Sequence, residues 1–439
     1  MGFIENTVAF VFVLGVMVLV HELGHFLAAR YFNVRVESFS IGFGPRLVGF
    51  RRGDTDYKIC LLPIGGYVKM AGENMGEPTG DPEEFLAKPR WQRLIIVAMG
   101  PIFNVLLAIA LPLGLYMFHF ERYSYLSQPA EVAYVEQDSP AEQAGVEPGD
   151  RILSIDHEST LTWEDVRLTE VAAVHRTVPV TVVRDGEEQT LTLTFAPDAR
   201  GVGYAGWLEE APVRLGQTAP GSPASQADIE PGDFVVAIDG EPMESVAEVM
   251  DVIQSSGGRE LTLALRRGDD LVETKVAPRL EDTEEGEIYR IGVELGPEYE
   301  RTVTKLSLGE SLAQSLDDNR KNATLIVRFL SGLVEQRMSP KSLEGPIGIA
   351  RLSGQAARTG WPELILLMSA ISLNLGIFNL LPIPILDGGV ILMLLFESAM
   401  RRDISVAVKE RIVQVGLVFL VLLFAFVMYN DILKSLPSG

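Results

Sequence analysis

At 439 residues the chain can hold two or more domains, and 47 % hydrophobic residues with a mean hydropathy of +0.20 lean toward a membrane protein. One cysteine, Cys60, excludes an intrachain disulfide and thiolate metal sites, and reads as a small half-buried hydrophobe. The net charge of -22 is concentrated: residues 121–362 carry 22 Lys and Arg against 43 Asp and Glu, an acidity that argues against nucleic acid as a partner.

The first apolar segment, Phe3 to Val20, holds Glu5 as its one charge and runs into His21-Glu22-Leu23-Gly24-His25. It predicts a first transmembrane helix over residues 1–30. The segment lacks a basic start, and cleavage after its Ala-Ala-Arg stretch would discard both histidines, so it is expected to stay rather than leave as a secretory signal. Residues 31–93 read as a membrane-associated β-hairpin region, with short ribbons at Ile41–Pro45 and Tyr57–Val68 turned by Gly and Pro, Gly42 and Gly44 among them. Leu94 to Phe118 has no charge and predicts a second helix over 94–119. Further apolar runs at Leu364–Leu386 and Ile412–Tyr429 predict a third helix within 361–398 and a fourth over 408–432. Each reaches roughly the 20 residues that cross about 30 Å of hydrocarbon.

Between the second and third spans, Ser139-Pro140-Ala141-Glu142-Gln143-Ala144-Gly145 and the Pro148-Gly149-Asp150 that follows recur 83 residues later as Ser222-Pro223-Ala224-Ser225-Gln226-Ala227-Asp228 and Pro231-Gly232-Asp233. A short helix, a turn and an alternating strand are predicted in each copy. Asp228 stands where the first copy has Gly145, so a different turn is expected there. The string resembles the signature of PDZ domains of bacterial envelope proteases, which places one domain at 126–206 and a second at 207–302. The same resemblance makes Arg200-Gly201-Val202-Gly203 and Arg290-Ile291-Gly292-Val293 the glycine loops that would receive peptide termini; modules serving as bulk or spacers are the plainer alternative. Residues 305–360 form a further helical segment, apolar at Leu312, Leu316, Ile326, Phe329, Leu330 and Leu333, with a re-entrant or interfacial bend rather than a straight helix expected at Leu343–Ala350.

Orientation follows from the basic residues. Ten, counted from Arg30 to Arg93, lie between the first and second apolar runs, and Arg401, Arg402, Lys409 and Arg411 lie between the third and fourth. The positive-inside rule makes both loops cytoplasmic and puts the acidic block and both termini outside, in a bacterial cell the periplasm. The expected fold is a polytopic α-helical protein of the inner membrane, with four transmembrane helices, two inserted periplasmic β-rich PDZ domains and a cytoplasmic membrane-associated β region. The first and third helices then run the same way, which brings His21, His25 and Asp387 to one depth.

Two imidazoles at i and i+4 share one face of a helix and can grip a single metal ion. Ionisable groups at membrane depth are costly and call for a functional explanation. Imidazole plus carboxylate suits Zn²⁺ with one position left for water, and Glu22, between the histidines, is the natural base. A third ligand is needed. Asp387 lies at the end of the third apolar span, whereas Glu397 neighbours a basic loop and reads as a solvated or interfacial charge. Pro382 and Pro384 break the helix just before Asp387, and the unwound stretch could pair with an extended substrate.

His-Glu-x-x-His on a first helix, Gly100-Pro101-Ile102-Phe103-Asn104 on a second and Asn379-x-x-Pro382-x-Pro384-x-x-Asp387-Gly388 on a third together resemble the site-2 protease family of intramembrane zinc metalloproteases, in its proteobacterial regulator-of-sigma-E form with tandem PDZ domains. The resemblance implies His21, His25 and Asp387 as zinc ligands and Glu22 as catalytic acid and base. It further implies Asn104 and Asn379 as holders of the substrate or its reacting carbonyl, and ribbons around Gly42 and Gly44 that engage the substrate from the cytoplasmic side. Expected partners are the lipid bilayer and membrane-spanning protein substrates, an anti-sigma factor of the RseA kind after a first periplasmic cut and remnant signal peptides, with the PDZ pair as a size filter. A non-catalytic scaffold would leave the four site residues unexplained, and a transporter would spread coordinating groups along a path rather than gather them at one depth.

Overall fold

The computed structural model describes residues 2–73, 80–198, 201–283, 286–338 and 343–435. The chain divides into two compact units, one of Met1–Phe120, Thr304–Val327 and Leu343–Gly439, the other of Glu121–Val303 and Arg328–Ser342.

The first unit is built on helices α1 (Gly2–Tyr31), α2 (Arg90–Tyr116), α3 (Leu308–Val334, whose first part belongs here), α4 (Pro346–Thr359), α5 (Trp361–Asn379), α6 (Asp387–Met400) and α7 (Val406–Ser435), with strands β1 (Val36–Arg52) and β2 (Thr55–Met70). Among the described residues, Ile4–Tyr31, Arg90–Tyr116, Trp361–Asn379 and Val406–Lys434 are long and apolar enough to cross a membrane. On α7 the exposed side chains are themselves apolar, Val415, Phe419, Leu422 and Phe424 among them, as a lipid-facing surface requires.

Proline shapes how these helices meet. Pro112 inside α2 has no N–H, so the Ala108 carbonyl one turn earlier loses its helical donor. Ser369 Oγ of α5 donates to that oxygen at 2.6 Å and Asn319 Nδ2 of α3 at 3.1 Å, and Ser315 Oγ donates to Ile109 O at 2.7 Å. The face of α3 that packs here is therefore Ser311, Ser315 and Asn319, all buried, while Leu312 and Leu316 are exposed. The neighbouring surface offers carbonyl oxygens, and hydroxyl and amide groups answer them.

One expectation changes. The bend foreseen at Leu343–Ala350 is a helix start, because Pro346 occupies the first turn of α4, where a missing N–H costs nothing. Asp431 of α7 accepts the free N–H groups of Gly345, Ile347 and Gly348 at 2.9, 2.9 and 3.2 Å. The third span breaks where its two prolines imply: α5 ends at Asn379, residues 380–386 form a loop holding Pro382 and Pro384, and α6 begins at Asp387. Ile385 in that loop adopts φ +88°, a conformation that costs a β-branched residue about 1–3 kcal/mol. The loop is held by close packing, since a Cβ on Gly388 would lie 2.3 Å from Leu380 O and one on Gly389 2.3 Å from Ile383 O.

β1 and β2 fold back on each other rather than forming a simple hairpin. Phe39 pairs with both Val68 and Tyr57, and Tyr57 pairs again with Phe50. Gly42, at φ +86°, makes the doubling possible, because a Cβ there would sit 2.5 Å from Leu62 O.

The second unit holds the two repeats. In each, the Ser of the Ser-Pro-Ala string caps a short helix whose first residue is proline: Ser139 Oγ accepts Glu142 N–H and Ser222 Oγ accepts Ser225 N–H, both at 3.2 Å. The turn expected to differ is kept, with Asp228 at φ +54° where Gly145 has φ +83°, because aspartate tolerates the left-handed region. The first module has a four-stranded sheet in the order Glu158–Ser159, Arg151–Ile155, Thr177–Arg184, Glu187–Thr194. The second has Asp270–Val276, Leu261–Arg267, Phe234–Ile238, Val213–Thr218 and Val293–Pro297 in that order. Of the two glycine loops, Arg200 lies outside the described residues, whereas Gly292 stands at φ +73° beside a cavity of about 550 Å³ that Arg290 to Leu295 help to line.

Each Pro-Gly-Asp turn ends in a buried carboxylate gripped by an arginine 34 residues on. Arg184 Nε and Nη2 donate to Asp150 at 2.7 Å each, and Arg267 Nε and Nη2 donate to Asp233 at 2.9 and 2.8 Å. Arg267 holds the Asp233 carboxyl below its ordinary range. The unfolded chain therefore binds a proton that the folded one refuses, so this stabilisation is complete above the ordinary carboxylate pKa and drains away as the pH falls through the lower, folded value. Replacing Asp233 by Ala should speed amide exchange along Leu261–Arg267 in the full-length protein by roughly tenfold or more. It should also remove that strand's added loss of protection on acidification; unchanged exchange would show the pair to be idle.

Candidate metal centre

α1 carries His21, Glu22 and His25 on its last turns, and α6 starts at Asp387 as the chain leaves the strained loop. His21 Nε2 lies 3.2 Å from His25 Nε2 and 3.2 Å from Asp387 Oδ2, while His25 Nε2 lies 3.5 Å from Asp387 Oδ1. Among the described residues these three form the group of His and carboxylate ligand atoms that converge, all within 4.8 Å of one another. A tetrahedral zinc with bonds of about 2.0–2.1 Å places its ligand atoms about 3.3–3.4 Å apart, so the spacing fits one such ion.

α2 sets both imidazoles. His25 Nδ1–H donates to Ile96 O at 2.9 Å, which leaves Nε2 bare and facing Asp387. Asn104 Nδ2 lies 3.2 Å from His21 Nδ1, and Asn104 Oδ1 is buried without a hydrogen-bond partner among the described residues. Turning that amide end for end lets Oδ1 accept His21 Nδ1–H, which removes the orphaned oxygen and bares Nε2 of His21 as well. Both rings then reach the centre through the nitrogen that α2 does not hold.

The helices approach this closely because two glycines face each other across them. A Cβ on Gly24 would lie 2.2 Å from Met99 O, and one on Gly100 would lie 2.3 Å from His25 Nε2 and 2.9 Å from His21 Cε1. Both glycines stand inside the sequence motifs without announcing this role; an apolar helix with glycine at one crossing is the signal available for it.

Glu22 is half-buried with the Val68 backbone as a hydrogen-bond partner, and a Cβ on Gly66 would lie 3.1 Å from its Cγ, so β2 runs directly past it. A cavity of about 600 Å³ opens on Glu22 and the triad, with Tyr67, Val68 and Met70 of β2 and Asn379 in its wall. Gly42, Gly44, Pro382 and Pro384 are not part of that wall. Pro384 packs on α7, where a Cβ on Gly416 would meet it at 2.6 Å. Asn104 is fully buried beside His21.

Glu397 is corrected from a solvated or interfacial charge to a fully buried one: its Oε1 accepts Lys409 Nζ at 2.5 Å and Ile404 N–H at 3.0 Å. The two partners lie 12 and 7 residues away across the α6–α7 turn, a closure that helical periodicity does not reveal.

The model of peptidase family M50 matches residues 9–423 of this chain. The regulator of sigma-E protease RseP of Escherichia coli is 31 % identical over 458 residues, which span 98 % of this chain and 99 % of that one. The protein of the same name from Salmonella typhimurium is 32 % identical, over 97 % and 98 %. A Ralstonia nicotianae protein that carries a zinc-metalloprotease name is 30 % identical over the same shares. With helices fit to cross a membrane and a match over nearly its full length, the chain belongs to peptidase family M50 and is a membrane zinc metalloprotease.

Proposed function

We propose that His21, His25 and Asp387 hold the zinc and that Glu22 is the catalytic acid and base of a protease that cuts within the membrane. The observation that carries this reading is the triangle of two bare imidazole nitrogens and one carboxylate beside Glu22, on helices long enough to span a bilayer. Zinc, when bound there, supplies Lewis acidity that polarises a peptide carbonyl and makes water more acidic. Glu22 takes the proton of the attacking water and delivers it to the leaving amide nitrogen. Asn104 and Ile96 O hold the two rings by their Nδ1 atoms, and Gly100 leaves room for them.

The substrate in this reading is a single-pass membrane protein whose helix unwinds locally and lies extended along the cavity. Its freed backbone can pair with β2 near Val68 and with the loop 380–386. Asn379 lines the cavity and is placed to contact the substrate directly. Asn104, fully buried, acts instead through His21. The basic loops support a cavity mouth toward the cytoplasm and acidic modules in the periplasm. The relatives named as regulators of sigma-E support an anti-sigma factor, already trimmed outside, as the substrate. The modules then act as a size filter against substrates with an intact outer domain, and the cavity beside Gly292 is the place for a peptide terminus.

Reconstituted protein offered a single-pass substrate with and without its outer domain should cleave only the trimmed form, at a bond that mass spectrometry places inside the transmembrane segment. Cleavage outside that segment would contradict the reading. Asn104→Ala should weaken zinc binding by about 10- to 100-fold, as judged by competition with a chelator; unchanged affinity would remove Asn104 from the site.

A further inference from the structure

The last residues of β2 form a sheet edge beside the triad, and the outward donors of that edge are taken by the chain's own carboxylates. Tyr67 pairs with Ser40 and Lys69 with Ser38 on β1, and Ala71 N–H then donates to Arg35 O at 2.8 Å. Backbone groups alternate from side to side along a strand, so Tyr67, Lys69 and Ala71 turn theirs toward β1 while Val68 and Met70 turn theirs away from it. Among the described residues no other strand pairs with Val68 or Met70 on that outer side. Instead, Val68 N–H meets Glu22, and Met70 N–H donates to Glu73 Oε2 at 3.2 Å.

Glu22 has a use in the reaction above; Glu73 has none. Glu73 follows β2 through a turn at Gly72, φ +62°, and lines the cavity together with Val68 and Met70. His25 and Glu22 are among the charges that act on it, so it stands beside the centre. It is exposed, and its contact with Met70 is long beside the roughly 2.7–2.9 Å usual for an N–H held by an ion, so the carboxylate can leave without losing its hydration. The Val68 and Met70 donors lie two residues apart, about 7 Å, which is also the repeat of carbonyls along one side of an extended peptide. Glu73 therefore stands where a strand added at Val68 would bring its next carbonyl.

We propose that Glu73 is a positioning residue that keeps the substrate's place on β2: in the empty enzyme its carboxylate occupies Met70 N–H, and an extended substrate segment displaces it by giving that N–H a backbone carbonyl. The proposal rests on the zinc-protease reading of the triad. Binding must then include release of a charged acceptor, so a segment that is still helical, with its carbonyls engaged, cannot take the place. Glu73 thus sets a threshold that only an unwound segment crosses, and its loss eases binding instead of weakening it.

The test uses full-length enzyme in proteoliposomes and a single-pass substrate that it cleaves. Glu73→Ala and Glu73→Gln are compared with wild type, each at its own pH optimum so that a change in the field at Glu22 does not enter. KM is expected to fall by about three- to tenfold in each, with kcat within about twofold of wild type. Residue-resolved amide exchange supplies the second readout: without substrate, Met70 should exchange about tenfold or more faster in Glu73→Ala than in wild type. In Glu22→Gln/Glu73→Ala protein, added substrate should restore its protection. A KM that is unchanged or raised overturns the proposal, and with a lowered kcat it would show Glu73 to be a mere brace of the turn. A Met70 amide that stays open under saturating substrate overturns it as well. If Glu73→Ala fails to keep zinc, Glu73→Gln, which preserves the side chain's shape, decides by its KM. Failure of the underlying reading looks different: Glu22→Gln would then still cleave the substrate, or zinc removal would leave wild-type cleavage intact.

Discussion

Glu22→Gln is expected to abolish cleavage of a membrane-inserted substrate, by at least the 10²- to 10⁴-fold that a positioned proton-transfer group contributes, while zinc content stays at the wild-type level. The amide keeps the shape of the carboxylate and can still meet the Val68 backbone, but it cannot take a proton from water or return one to the leaving nitrogen. Glu22 lies outside the triangle of ligand atoms, so the metal should not leave with the charge. The loss should fall on kcat, because in the proposed role Glu22 acts on the reacting atoms rather than on substrate binding. Zinc analysis with single-turnover cleavage separates the possibilities: retained cleavage would refute the role of base, and lost zinc would turn Glu22 into a ligand or a brace.

Gly100→Ala should be nearly as severe for a purely steric reason. The added methyl would fall 2.3 Å from His25 Nε2 and 2.9 Å from His21 Cε1, and neither ring has a simple retreat. His25 is tied to Ile96 O through Nδ1, and α1 cannot slide closer because Gly24 already faces Met99 O at a distance that forbids a side chain. The helices must part or the rings must turn, and either breaks a geometry that has to hold within about 0.5 Å. Zinc per chain is expected to fall below about a tenth of wild type and cleavage by more than 100-fold. Gly114→Ala on the same helix is the control: a Cβ there meets nothing within 4 Å, and alanine is the better helix former by about 1 kcal/mol, so zinc and activity should be unchanged. Equal behaviour of the two variants would show that Gly100 is not set by the imidazoles.

Much of this architecture is legible in the chain because lipid imposes simple rules. Length and lack of charge mark α1, α2, α5 and α7. The i, i+4 spacing puts His21 and His25 on one face, and two prolines foretell the break that delivers Asp387. The Ser-Pro-Ala and Pro-Gly-Asp strings declare their caps and turns locally.

What stayed hidden depends on contacts between distant segments. Nothing near Glu397 announces that Lys409 and Ile404 will bury it, because the α6–α7 turn decides the meeting. The packing face of α3 is not given by its apolar periodicity, because that pattern marks the side that faces lipid as readily as the side that faces protein, and the polar Ser311, Ser315 and Asn319 pack at a carbonyl freed by Pro112 on another helix. Gly100 and Asn104 appear in the sequence as parts of one motif. Only the crossing of α1 over α2 shows that the first makes room for two rings and the second holds one of them.

Anomalous scattering at the zinc absorption edge, from crystals of fully active protein, puts the central assignment to the most direct test. The account predicts one strong peak per chain, about 2.0–2.1 Å from His21 Nε2, His25 Nε2 and an Asp387 oxygen, with Glu22 beside it and not bonded to it. A peak elsewhere, or an empty triangle in active material, would contradict it.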